Sequence, residues 1–186
     1  MTKQIKSVSV IGDSLLKGII FDYNKNCYVV SHNSCVDKTQ QELNFPVNNY
    51  SLCGLNSRNI NKYVDLVLKQ TKDEFIVLEF GFDDLEKKSI FRFNNSLRKV
   101  IKKLTKQNKE IILVTLPLNQ ILMNKNFKTI VKYNQIIRKI SKKQNTCLLD
   151  LENNFLLKDT YPEEKEAILI KDYVINKINQ SSRYVF

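Results

Sequence analysis

The stretch Ser7–Gly18, "SVSVIGDSLLKG", runs a short β-branched apolar segment into a Gly-Asp-Ser turn and then into apolar residues at helical spacing. Such a segment reads as a buried strand, Gly12 as the turn that ends it, and Ser14 as the first residue of a helix. A serine at this junction holds its hydroxyl at a helix N-terminus with backbone N–H groups nearby, a placement suited to a nucleophile. The same placement suits a capping serine, so the turn alone decides nothing. A phosphate loop is excluded, because "GDSLLKG" lacks the GxxxxGK[ST] spacing.

Working outward, four more apolar runs follow: "VNNYSL", "EFIVLEFG", "EIILVTLPL" and "TCLLDL". Between them lie amphipathic patterns. Leu97, Val100, Ile101 and Leu104 share one predicted helix face; Phe127, Ile130, Val131, Ile137 and Ile140 share another; Ala167, Ile170, Val174 and Ile178 share a third. Continuous apolar strands separated by such helices predict a five-stranded parallel sheet covered on both faces, an α/β fold in the form of a three-layer α/β/α sandwich. Ligands in such sheets bind beyond the carboxyl ends of the strands. That rule selects the loops at 12–14, 53–56, 81–84 and 159–162. The segment "FDYNKNCYVVSHNSC", 21–35, is expected to form a small hairpin before the next helix.

Composition sets the remaining bounds. A chain of 186 residues with 42% apolar and 26% charged content is expected to form one domain, 1–186. No apolar run approaches a membrane span, and "MTKQIK" leads into a short strand instead of a signal-peptide core, so a cytoplasmic protein is expected. Cys27, Cys35, Cys53 and Cys147 show no CxxC pairing and are expected to be free thiols, with no metal and no cofactor. The formal charge of +11 attracts anionic partners in general, but the stronger reading is a solvated surface, since the Lys residues fall on the outer faces of predicted helices. An anionic polymer would use the Lys-rich helices at Lys99–Lys109 and Lys125–Lys143. Tyr and Phe residues are scattered at core-like spacing, which speaks against a base-stacking platform and hence against nucleic acid.

The loops taken together resemble the SGNH/GDSL hydrolase family, with its flavodoxin-like sandwich. "IGDSLLKG" is similar to the family's first block, "NYSLCGLNS" to its second, and "LEFGFDDLE" stands where the third reads Gly-x-Asn-Asp. The resemblance implies an ester hydrolase with Ser14 as nucleophile, Asp13 in the motif turn, and an oxyanion hole formed by Ser14, Gly54 and the residue at Asp83. Asp84 falls on a position that shapes the loop. Glu79, two residues before Gly81, forms with Asp84 a pair of acids flanking the strand end, a composition that can do acid and base work.

Two blocks depart from the pattern. Asp83 replaces the asparagine whose side chain donates to the oxyanion, and an ionised carboxylate cannot donate. In "LLKDTYPEEKEAILI", anchored on Pro162, Tyr161 stands at the histidine position and Lys158 at the aspartate position, with Asp159 one residue off. A phenol titrating near pH 10 is a poor base at neutral pH. The acids Glu163, Glu164 and Glu166 suit the start of a helix. The resemblance, so altered, implies a hydrolase-like protein with impaired chemistry and a small acylated or carbohydrate-like ligand. Two alternatives stand beside it: an active ester hydrolase or acyl transferase using the single histidine, His32, as base, and a non-enzymatic binder of an anionic polymer.

Overall fold

The computed structural model describes residues 6–22, 24–31, 36, 43, 45–85, 89–154, 156–157, 172–173 and 176. In chain order the elements are β1 (Val8–Ile11), α1 (Ser14–Lys17), β2 (Ile19–Asp22), β3 (Cys27–Val30), β4 (Val47–Asn49), α2 (Ile60–Gln70), β5 (Phe75–Leu78), a single 3₁₀ turn (Phe82–Asp84), α3 (Ile90–Lys106), β6 (Glu110–Val114), β7 (Leu118–Asn119), α4 (Gln120–Gln144), β8 (Cys147–Leu149) and β9 (Leu156–Leu157). The five expected strands form one sheet in the order β4-β1-β5-β6-β8. Every pairing in it is parallel, with Val8 facing Val47 on one side and Phe75 on the other.

Alternation along each strand sorts the side chains into two layers. Ile11, Ile76, Leu78, Ile111 and Leu113 point into one core, which is closed by α2, α3 and α4 through Val64, Val67, Phe93, Leu97, Leu104, Ile130 and Ile137. Val8, Val10, Phe75, Val77, Ile112 and Val114 point into the other, closed by Leu15, Leu16, Val36, Leu151, Leu157 and Tyr173. The crossovers β4-α2-β5, β5-α3-β6 and β6-α4-β8 all step in the same direction across the sheet. Uniformly right-handed crossovers therefore stack the three helices on one face. Parallel strands buried on both sides explain why these sequence runs are continuous instead of alternating.

The hairpin lies where the sequence suggests one, as an antiparallel pair β2–β3 starting at Ile19, with Phe21 paired to Tyr28. Phe127 differs from expectation. It is 40% exposed, while Tyr133, Ile137 and Ile140 carry the buried stripe of α4. Asn134, fully buried on the same helix, explains part of this register: its Nδ2 donates to the Leu116 carbonyl and its Oδ1 accepts from the Leu116 N–H, both at 2.8 Å. That reciprocal pair fastens the loop after β6 to α4. Arg138 similarly ties α4 to the end of β8, donating two hydrogen bonds to Asp150 at 2.9 and 2.7 Å and pairing with Glu152. The third predicted helix, around Ala167 to Ile178, lies outside the described residues.

Candidate active site

β1 delivers its last residue to the carboxyl edge of the sheet, and the chain turns there at Gly12. A Cβ at Gly12 would fall 2.7 Å from the Leu16 Cβ and 3.1 Å from a Glu79 carboxyl oxygen, so the first loop sits directly against the third. Asp13 caps α1, its Oδ1 accepting from the Leu15 N–H at 3.2 Å. Its other oxygen reaches across the sheet edge and accepts from the Gly81 and Phe82 N–H groups at 3.2 and 2.9 Å. The Asp13 N–H in turn donates to Glu79 Oε2 at 3.1 Å. Ser14 follows as the first residue of α1 and is only 3% exposed.

The second loop is held as firmly. The Leu52 N–H donates to the Gly12 carbonyl at 2.9 Å, which joins it to the first. Gly54 adopts φ +82°, a left-handed conformation that glycine takes without steric penalty, and its carbonyl accepts from the side-chain amides of Asn56 and Asn59 at 2.8 and 2.9 Å. This turns the Gly54 N–H toward the third loop, where it donates to Asp83 Oδ2 at 3.0 Å. Next in sequence, Asp84 accepts from the Ser57 N–H at 2.7 Å and the Ser57 hydroxyl at 2.6 Å, and is itself buried. Asp84 is thus a clamp between loops, as its position implies.

Electrostatically the site is a knot of carboxyl groups. Asp13 is fully enclosed, and burial, helped by the charge of Asp83, raises its pKa to about 7 against the opposing pull of its hydrogen bonds. Burial, and then the charge of Asp13, push Glu79 well above the ordinary carboxylate range. The two side chains lie within hydrogen-bonding reach of each other. Two carboxyl groups this close and this dry cannot both ionise. Near neutral pH the pair therefore shares a proton, while the Asp13 oxygens face backbone donors. Glu79 Oε1 is buried and makes no hydrogen bond. The acid that Glu79 works with is therefore Asp13, 66 residues away in sequence, and not Asp84.

The structure gathers Asp13, Ser14, Gly54 and Asp83 on neighbouring loops of one sheet edge. His32, Lys158, Asp159, Tyr161 and Pro162, together with Glu163, Glu164 and Glu166, lie outside the described residues. Two features escape the sequence: the Asp13–Glu79 pair and the contact between Gly54 and Asp83. Among the described residues, no group of His, Cys, Asp and Glu side chains is arranged to hold a metal ion. As it stands, the Gly54 N–H, which the resemblance assigns to an oxyanion hole, is engaged by a carboxylate of the protein itself. A carbonyl oxygen gaining negative charge there would meet like charge.

The sequence profile of the GDSL-like Lipase/Acylhydrolase family matches residues 10–167. No curated protein matches the chain. Among solved structures, a carbohydrate acetylesterase, Est24, from Sinorhizobium meliloti superposes with a TM-score of 0.81 at 10% identity, over 95% of this chain and 99% of that one. A member of the lipolytic protein G-D-S-L family from Veillonella parvula DSM 2008 gives 0.77 at 14% identity, over 92% and 97%. The lipase/acylhydrolase from Enterococcus faecalis gives 0.75 at 17% identity, over 95% and 97%. At these identities the likeness is one of fold.

Proposed function

The chain belongs to the GDSL-like lipase/acylhydrolase family, and from that premise we propose that it is a hydrolase-like protein whose ester-cleaving chemistry is impaired. One observation carries the reading: the Gly54 N–H donates to the Asp83 carboxylate at 3.0 Å. In a working site that N–H and a neutral side-chain amide converge on the substrate oxygen. Here the amide is replaced by an acceptor, and the acceptor engages the N–H. Loss of one oxyanion donor costs about a hundred- to a thousandfold in rate; the replacement of the amide removes one here and the contact with Asp83 engages a second. Tyr161 at the position of the family's histidine adds to the deficit, since without a base the Ser14 hydroxyl is a weak nucleophile.

The fold supports a small acylated or carbohydrate-like ligand at this edge, a proposal in keeping with the carbohydrate acetylesterase among its structural neighbours. No helix among the described residues is long and apolar enough to cross a membrane. Cys27 and Cys53 are exposed free thiols, which supports a reducing compartment, the cytoplasm.

The test is hydrolysis of a panel of short-chain p-nitrophenyl esters by the wild type and by Ser14→Ala. The expected result is turnover within a few-fold of the variant across the panel. Robust hydrolysis abolished by Ser14→Ala would overturn the reading and favour a working esterase with an unconventional base, for which His32→Ala is the next variant.

A further inference from the structure

The charged surface of the helical layer holds a concavity away from the candidate active site. Where α2 and α3 lie side by side, two short side chains make a floor: the Ser96 hydroxyl donates to the Ser57 carbonyl at 2.7 Å. Long side chains rise on either side of a shallow, largely open groove of about 710 Å³. Arg58, Lys62, Arg92, Lys99, Lys102 and Lys106 line this groove. Among the described residues none of the six has a side-chain hydrogen bond or an ion pair. A further lysine there, Lys103, is satisfied internally, donating to the Asn61 carbonyl at 2.9 Å and pairing with Asp65 at 2.7 Å.

Six like charges facing one concavity repel one another, and low-dielectric walls focus their field. Arg92, Lys99, Lys102 and Lys106 recur on one side of α3, at intervals of seven, three and four residues, over roughly 21 Å of axis. Every lining residue is polar or charged, the Lys and Arg stems supplying its apolar surface, and no aromatic ring is present to stack a base. The neighbouring groove between α3 and α4 differs. It encloses about 530 Å³, has Ile101 and Ile140 in its lining, and offers three cations, two of them shared with the first.

We propose that the α2–α3 groove is a binding site for a linear phosphate chain, recognised through its charges alone. A row of phosphates meets a row of cations, releasing counterions as it docks. The occupant is taken as a soluble polymer, whose linear run of charges matches cations strung along one helix, and vesicles test the lipid alternative. Inorganic polyphosphate and a nucleic acid strand share this chemistry. The site is independent of the ester chemistry at Ser14, and its test uses no ester.

Binding is read by fluorescence anisotropy of a labelled oligothymidylate at low ionic strength, with inorganic polyphosphate as competitor. Lys62→Glu/Lys99→Glu removes two groove cations. Lys139→Glu/Lys142→Glu makes the same change of net charge on exposed positions of α4. The groove variant is expected to lose at least tenfold in affinity and to flatten the log-log salt slope by about 1.4; the control is expected to lose less than twofold. Oligonucleotide affinity above that of polyphosphate identifies a phosphodiester strand, and the reverse identifies polyphosphate; either outcome supports the site. Lys62→Gln/Lys99→Gln, with a circular dichroism check, stands in if the charge reversal unfolds the chain. Equal losses in the groove and control variants, no binding by either soluble chain, or binding to phosphatidylserine vesicles alone would overturn the proposal.

Discussion

At the scale of single residues, the proposed impairment rests on one atom in a side chain, the carboxylate oxygen that Asp83 carries where the family pattern has an amide nitrogen. Asp83→Asn should undo both of its effects, releasing the Gly54 N–H and restoring a second donor. Turnover on the best ester of the panel is expected to rise about tenfold to a hundredfold over wild type, below the full value of two donors because Tyr161 remains in place. An unchanged rate would clear Asp83 of blame. The buried pair beneath it gives a second prediction. Asp13 and Glu79 both bind protons more tightly in the folded chain than in the unfolded one, where ordinary carboxyl values near 4 apply. Their contributions to stability are therefore fully present at low pH and are lost as pH rises, that of Asp13 through about 7 and that of Glu79 through its own raised value. Glu79→Gln keeps a donor for Asp13 and removes one titration. Melting temperatures followed from about pH 5 to about pH 8 should fall less steeply in the variant, by half or more. Parallel curves would show that the pair does not share a proton. Asp83 was visible as a departure from a known pattern. The Asp13–Glu79 pair was not, because nothing in the spacing of residues 66 apart says that two loops will fold one carboxyl group onto the other.

At the scale of elements, the loop after β5 depends on a glycine that packs as well as turns. Gly81 sits at φ +134°, and a Cβ there would come within 2.9 Å of the Phe93 ring and 3.5 Å of Tyr133. Those two rings are stacked, their centroids 4.1 Å apart. Gly81→Ala combines a disfavoured backbone with overpacking and should cost about 2–4 kcal/mol, read by denaturant titration; a loss under about 1 kcal/mol would mean the rings give way. The five strands were legible because β-branched runs bounded by turns leave few other options for residues buried on both faces. The helix from Ile90 to Lys106 was legible for the same reason, with Leu97, Val100, Ile101 and Leu104 all buried as expected. α4 was read less well. Phe127 fits the apolar repeat in sequence, yet the helix is turned by Tyr133 and Asn134, whose polar atoms gave no hint that they belong inside. β7 and β9, two residues each, are too short to leave any periodicity.

For the whole molecule, a single sheet carries two cores on opposite faces. Every strand but the edges contributes side chains to both layers, so neither core can open without exposing the other. We propose on this ground that 1–186 is one domain. Calorimetry should give a single transition with equal calorimetric and van't Hoff enthalpies, whereas two resolved transitions would divide the chain. The +11 charge belongs to this scale as well. The sequence indicated Lys-rich helices, but not that six cations would converge between two of them, because convergence depends on how neighbouring helices are placed on the sheet.

The bond from Gly54 to Asp83 also bears on how such a protein is detected. Organophosphorus reagents that tag serine hydrolases in cell extracts leave a phosphoryl oxygen needing the same donors as a tetrahedral adduct. With that pocket filled by a resident carboxylate, the protein would pass unlabelled through such a survey however abundant it was, and inventories built on covalent tagging would undercount relatives that share the exchange.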